Sequence, residues 1–289
     1  MDENAARTFL LTHARILERR LAEIYLDGST DVEPVRHALE AYRNADGGFG
    51  HGLESDALAP QSQPLAVDAA FAVLDDLAAH TKATFADAVA ATIPFLQSVS
   101  AADGGLPIVL PSVARSPRAA HWGDGVFPPA LNPTAGIVAR ARLLGPPHPW
   151  LEDASEFCRR ALATPEAVQD AHTALCVLRF LETSPDRAWA DGLYDELGGR
   201  LTGLRLFQPM PGEGYGLTPL DFAPTPDSPR RRFFTSESVE AHLDALAQAQ
   251  QDDGGWPVTW EPPGPSAVAA WRGVRTLEAL RVLRAYGRI

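Results

Sequence analysis

Apolar side chains recur at three- and four-residue steps through most of this chain. VEPVRHALEAYR shows the pattern, as do FADAVAATIPFLQSV, SVEAHLDALAQAQ and SAVAAWRGVRTLEALRVLRAY. That period lays one apolar stripe along a cylinder and marks an amphipathic α-helix packed on a core. It predicts helices over 4–26, 32–43, 63–79, 84–98, 133–144, 151–163, 165–182, 187–204, 236–250 and 265–286. No segment shows a convincing strand alternation of apolar and polar residues, so the expected fold class is all-α.

Three of these helices run into the same punctuation. It reads Asn44-Ala45-Asp46-Gly47-Gly48-Phe49, then Ala101-Ala102-Asp103-Gly104-Gly105-Leu106, then Gln251-Asp252-Asp253-Gly254-Gly255-Trp256. Paired glycines permit positive φ just past a helix end, where carbonyls need new partners. The aspartate can hold nearby backbone N–H groups. These triplets therefore read as structural turns, with Phe49, Leu106 and Trp256 free to tuck between neighbouring hairpins. A Pro-rich loop and a second helix follow each turn. The helices opening at Pro64 and Pro133 carry proline in the first turn, where its missing N–H costs nothing.

The repeating unit is thus helix, turn, loop, helix, over roughly 50 residues. Glu213-Gly214-Tyr215-Gly216 is a degenerate copy of the turn, and TPEAVQDAHTALCVLRFLE adds a helix without one. Long irregular loops favour a closed ring over an open solenoid. The expected architecture is an α/α toroid, a barrel of about five to six hairpins around a central cavity, with 1–289 as a single domain.

Charge narrows the partners. A net charge of −12 disfavours nucleic acid, which needs a basic surface. The run Arg230-Arg231-Arg232 reads as a solvated loop ahead of an anion site. No run of about 18 apolar residues occurs, so no integral membrane segment is expected. The opening MDENAARTFLL lacks the basic start and small-residue cleavage site of a signal peptide. Cys158 and Cys176 fall inside helical patterns, without the short spacing of a zinc site. They read as buried free thiols of a cytoplasmic protein. No metal or cofactor motif is present, and the oligomeric state is left unassigned.

Leu246-Ala247-Gln248-Ala249-Gln250-Gln251-Asp252-Asp253-Gly254-Gly255-Trp256 resembles the Gln-Trp repeat of squalene–hopene and oxidosqualene cyclases. Phe95-Leu96-Gln97 followed by Asp103-Gly104-Gly105 looks like a further copy. Asp-Gly-Gly-Phe at 46–49 is similar to repeats of protein prenyltransferase β subunits. The likeness spans most of the chain and is thinnest near 150–210. It implies the toroid of the terpenoid cyclase and protein prenyltransferase superfamily, and a small-molecule ligand of isoprenoid class. The usual chemistry of those relatives is not carried with it. The chain has no Asp-x-Asp-Asp acid motif and no Asp-Asp-x-x-Asp metal motif, and neither cysteine matches a zinc-ligand context.

Candidate chemistry gathers on two similar loops. Gly48-Phe49-Gly50-His51-Gly52-Leu53-Glu54-Ser55-Asp56-Ala57-Leu58-Ala59-Pro60 sets three titratable groups in six residues. Gly214-Tyr215-Gly216-Leu217-Thr218-Pro219-Leu220-Asp221-Phe222-Ala223-Pro224 repeats its glycine–aromatic–glycine opening and its Asp before Ala-Pro. A carboxylic acid kept protonated by a low-dielectric wall can act as a general acid. Asp56, Asp221, His51 and Glu54 are the catalytic candidates, with Phe49, Tyr215 and Phe222 as walls. Beside that stands a plainer role, with Asp56 and Asp221 as turn caps and His51 as a hydrogen-bonded loop residue. His51, Glu54 and Asp56 make a poor metal set without a distant ligand.

Trp122 and Trp260 flank Pro-rich loops and are the further substrate-binding candidates. His121-Trp122-Gly123-Asp124 adds a polar cluster, whereas Phe127, Trp256, Trp271, Phe233 and Phe234 read mostly as core or turn anchors. Three functional readings follow. The first is an isomerase or lyase of terpenoid-cyclase type, with a carboxylic acid as proton donor in an aromatic-lined cavity. The second is a carbohydrate-active toroid, a lyase or hydrolase, with Trp platforms and paired carboxylates. The third is a non-catalytic binding toroid.

Overall fold

The computed structural model describes residues 1–289, the side chain of Pro165 excepted. Twelve α-helices are present among the described residues, and no strand. They are α1 (Glu3–His13), α2 (Ile16–Tyr25), α3 (Glu33–Glu40), α4 (Pro64–Thr81), α5 (Ala86–Val99) and α6 (Leu131–Leu144). Then come α7 (Pro149–Ala161), α8 (Ala171–Glu182), α9 (Arg187–Arg200), α10 (Pro219–Phe222), α11 (Ser236–Gln248) and α12 (Pro265–Ala285). The all-α class read from the periodicity is the class observed. No helix among the described residues is long and apolar enough to cross a membrane.

Three boundaries differ most from the sequence pattern, and α10 was not among the expected helices. The helix expected over 4–26 is two helices, because Ala14 is extended (φ −72°, ψ 158°). Ala14 is buried, and a Cβ on Gly273 of α12 would stand 2.9 Å from its methyl. Packing on α12, not a local breaker, sets that break. The helix expected over 165–182 begins at Ala171, where the Asp170 side chain accepts from the N–H groups of His172 and Thr173 and caps the new N-terminus. The helix expected to reach 204 ends at Arg200 and passes into a 3₁₀ turn over Leu201–Gly203.

The chain divides into two compact units, residues 39–197 and residues 1–38 with 198–289. In the first, α4, α6 and α8 pack side by side, with α5 and α7 against α6. Phe71, Leu74, Leu77, Ile137, Val138, Val177 and Phe180 fill its interior. Each such side chain contributes about 1.5–3 kcal/mol by leaving water. One ion pair crosses this apolar packing, from buried Arg140 of α6 to Asp68 of α4. In the second unit α1 packs on α12 and α2, and α11 on α10 and α12. Phe9, Leu10, Leu17, Ile24, Leu243, Leu277 and Leu280 are buried there.

The three Asp-Gly-Gly turns share one construction. In each, the aspartate accepts from the N–H two residues on: Gly48 to Asp46 at 2.9 Å, Gly105 to Asp103 at 3.2 Å, Gly255 to Asp253 at 3.1 Å. The first glycine has φ of 85°, 89° and 89° in turn. Each glycine pair lies on a helix of another hairpin. A Cβ on the first glycine would meet backbone at Ala91, Asp153 or Ala5. A Cβ on the second would meet the ring of Phe95, Phe157 or Phe9. The receiving residues are always four apart on α5, α7 or α1, one helical turn, so a single helix face forms each socket.

Candidate functional site

In the 39–197 unit the loop after α3 is tied down by short-range hydrogen bonds. Asp46 accepts from Ser62 Oγ at 2.7 Å as well as from Gly48. Asn44 Nδ2 donates to Pro60 O at 2.9 Å and Ser62 Oγ at 3.0 Å. His51 is exposed, adopts left-handed φ of 54°, and sets its Nε2 2.9 Å from Asn44 Oδ1. Glu54 is half-buried and its carboxylate accepts from the Asp56 N–H at 3.1 Å. Asp56 itself is only 7% exposed, and its carbonyl accepts from Ala119 N at 2.8 Å. The polar groups of this loop thus fold it back on itself and on the 117–119 segment.

Two aromatics expected to face a ligand are packing residues here. Phe49 is fully buried, with the Arg43 guanidinium 4.4 Å above its ring. Trp122 is 9% exposed in a cluster with Ala57, Ala59, Val109, Val113 and Ala119, edge-on to Phe127 at 6.0 Å. His121 beside it is exposed, and Asp124 accepts from Val126 N in a turn.

In the other unit the second loop is built differently, despite its similar sequence. Asp221 is the third residue of α10, and its carboxylate accepts from both Thr218 N and Thr218 Oγ1 at 2.7 Å. Thr218 Oγ1 accepts in turn from Leu220 N, which completes a capping box. Asp221 Oδ1 is also 3.7 Å from Arg275 of α12, whose guanidinium reaches Glu278 at 3.1 Å. Phe222 is fully buried with Phe207 and Phe234, at 5.7 and 5.9 Å between ring centroids.

Tyr215 and Trp260, singled out separately in the sequence, meet edge-to-face at 5.1 Å. Trp271 meets Trp260 at 5.0 Å, again edge-to-face. Tyr215 is 39% exposed and both tryptophans are half-buried. Trp271 and Arg275 are one helical turn apart on α12, so they share a face. Burial opposes the charge of Arg275, but Glu278 and Asp221 outweigh it and the pKa is raised. That sign shows a negative local potential around the guanidinium.

This group of three rings, two carboxylates and one arginine joins the 213–222 loop, the 256–264 loop and α12. The sequence placed Tyr215, Trp260 and Asp221 at a site and Trp271 among core or turn anchors, and missed Arg275 and Glu278. A Trp four residues before an Arg, a spacing that puts both on one helix face, is a local signal, and a weak one.

No family model matches the chain, and no curated protein matches it. Among solved structures it is similar to a crystal structure of a protein from Actinoplanes, 14% identical over 98% of each chain, with a TM-score of 0.54. At that identity the likeness speaks to the fold alone.

Proposed function

We propose that the chain is a small-molecule enzyme of terpenoid-cyclase type, in which Tyr215, Trp260 and Trp271 stabilise a cationic centre on the ligand. The arrangement of those three rings carries the reading. Edge-to-face contacts turn neighbouring π faces to different sides of a corner, which suits a compact cation more than a flat sugar ring. Each aromatic face adds about 0.5–2 kcal/mol toward a cation. Two carboxylates against one guanidinium leave the surroundings net negative, in the same direction.

The reading also needs a carboxylic acid as proton donor. Transfer of the carboxyl proton to an alkene carbon forms a C–H bond and leaves a carbocation. Later loss of a different proton gives an isomer and restores the acid. Asp221, with its carboxylate engaged by Thr218 and Arg275, is the positioning partner of Arg275 in this scheme.

The test is tryptophan fluorescence with an isoprenyl trimethylammonium ion and its neutral tert-butyl isostere. The ammonium ion should quench saturably, the isostere roughly tenfold more weakly, and Trp260→Leu and Trp271→Leu should each lose the difference. Equal binding of the two probes, or tighter binding of a neutral oligosaccharide, would overturn the reading in favour of a carbohydrate or purely apolar ligand.

A further inference from the structure

A cleft of about 420 Å³ opens in the 39–197 unit where α6 ends beside α7 and the end of α8. Its walls include Arg142, His148, Leu151, Ser155 and Phe180. We propose that this cleft binds a small organic monocarboxylate, with the carboxylate on Arg142 and the apolar body against Leu151 and the rings of Pro146, Pro147 and Pro185. The proposal is independent of the aromatic group on α12.

Arg142 is the reason. Its guanidinium lies 4.5 Å above the Phe180 ring, donates through one nitrogen to Ser155 Oγ at 2.8 Å, and reaches Phe180 O at 3.5 Å. Both acceptors are neutral. Among the described residues no carboxylate lies within ion-pair distance of it, whereas Arg140 has Asp68, Arg272 has Asp253 and Arg284 has Glu3. Burial works against its charge and Arg159 adds repulsion, so its pKa is lowered. A half-buried guanidinium costs free energy unless an anion answers it. The carbonyl end of α8 offsets part of that cost through the helix dipole, and a full carboxylate would offset more. Only two of the five N–H donors are used by these contacts, which leaves a fork of the geometry that a carboxylate fits.

The rest of the cleft selects the ligand. Arg159 is already answered by Asp186 at 3.1 Å and stacks 4.2 Å from Trp189. His148 accepts from Trp150 N through Nδ1, so the neutral ring keeps its proton on Nε2 as a second donor in the wall. Glu152 and Glu156, the latter 3.5 Å from Arg160, stand on the same wall and repel a dianion more than a monoanion, which disfavours phosphate. Leu151 and three prolines, Pro146, Pro147 and Pro185, supply apolar surface for an organic body.

Calorimetric titration of the intact chain with phenylacetate, phenylacetamide and inorganic phosphate tests this. Phenylacetate should bind saturably and shift the Leu151 methyl resonances. The amide and phosphate should bind at least roughly tenfold more weakly, and Arg142→Gln should lose at least roughly tenfold in phenylacetate affinity. Equal affinity for acid and amide, or a folded Arg142→Gln variant that binds like the parent, would overturn the proposal. Should Arg142→Gln not fold, Glu152→Gln decides: it should tighten phenylacetate and admit phosphate, and no change in either would overturn the assignment.

Discussion

Gly254 sits so close to Ala5 that a Cβ built on it would stand 2.3 Å from the Ala5 carbonyl oxygen. The two residues are at opposite ends of the sequence, and the contact admits no side chain. The backbone at Gly254 also has φ of 89°, which L side chains rarely adopt. Gly254→Val therefore suffers twice, from strain and from a clash with backbone that cannot swing away. It should lose about 2–6 kcal/mol of stability in denaturant unfolding. Gly28→Ala is the control: φ is 74° but nothing lies within 4 Å, so only strain remains, about 1–2 kcal/mol. Equal losses in the two variants would show that the socket is unimportant.

Acid should weaken the same turn. Hydrogen bonds from Arg272, at 2.7 and 2.6 Å, hold Asp253 at a pKa of about 2, below its ordinary 3.8. The unfolded chain then binds more protons between those values. The contribution is present above the ordinary value and is lost as pH falls through about 2. Asp253 is 44% exposed, so solvent screening keeps the effect small. Thermal unfolding of Asp253→Asn should be flatter than that of the parent between about pH 4 and pH 2. A parallel decline would assign the acid sensitivity elsewhere.

Both thiols should be silent in the folded chain. Burial pushes Cys158 and Cys176 up to about 12, and they are not joined in a disulfide. The thiolate is the reactive form, so at pH 8 a thiol reagent should label neither. Denaturant without reductant should then release two thiols per chain. Fast labelling of the native protein would mean that α7 or α8 opens readily.

Asp56 and Asp221 should separate in a pair of substitutions. Asp221→Ala removes a capping box and the partner of Arg275, and should cost about 0.5–2 kcal/mol of stability. Asp56→Asn keeps the backbone carbonyl that accepts from Ala119 and should leave alkylammonium binding at the aromatic corner intact. Loss of that binding in a folded Asp56→Asn variant would overturn the assignment of the site to Tyr215, Trp260 and Trp271.

Local periodicity and turn chemistry were enough to read the helices and the structural nature of the Asp-Gly-Gly triplets, because both depend on residues a few positions apart. What receives the turns was not legible. Ala5 with Phe9, Ala91 with Phe95 and Asp153 with Phe157 share only their spacing, and Asp153 has nothing in common with alanine except the backbone that is used. The break at Ala14 was hidden for the same reason, since its cause sits on α12. Similar loops also proved unequal. Thr218 ahead of Pro219 nucleates α10 and engages Asp221, whereas no such residue precedes Asp56, which stays in a loop. Tyr215 and Trp260 were visible as loop aromatics, but their meeting with Trp271 depends on how two loops fall against a helix.

The seat of the last turn on α1 has a bearing on synthesis. Gln250 exchanges amide hydrogen bonds with the backbone of Asp2, at 2.5 and 2.7 Å, beside the contact of Gly255 with Phe9. Helix α1 leaves the ribosome well before the residues that cover it, which are translated more than two hundred positions later. While those intervening residues are made, the Phe9 face stays wet or borrows a temporary neighbour. Contacts of such sequence separation form late and slowly. The nascent chain is thus exposed to chaperones, and to misjoining with other chains, at α1, whose covering residues are made so much later.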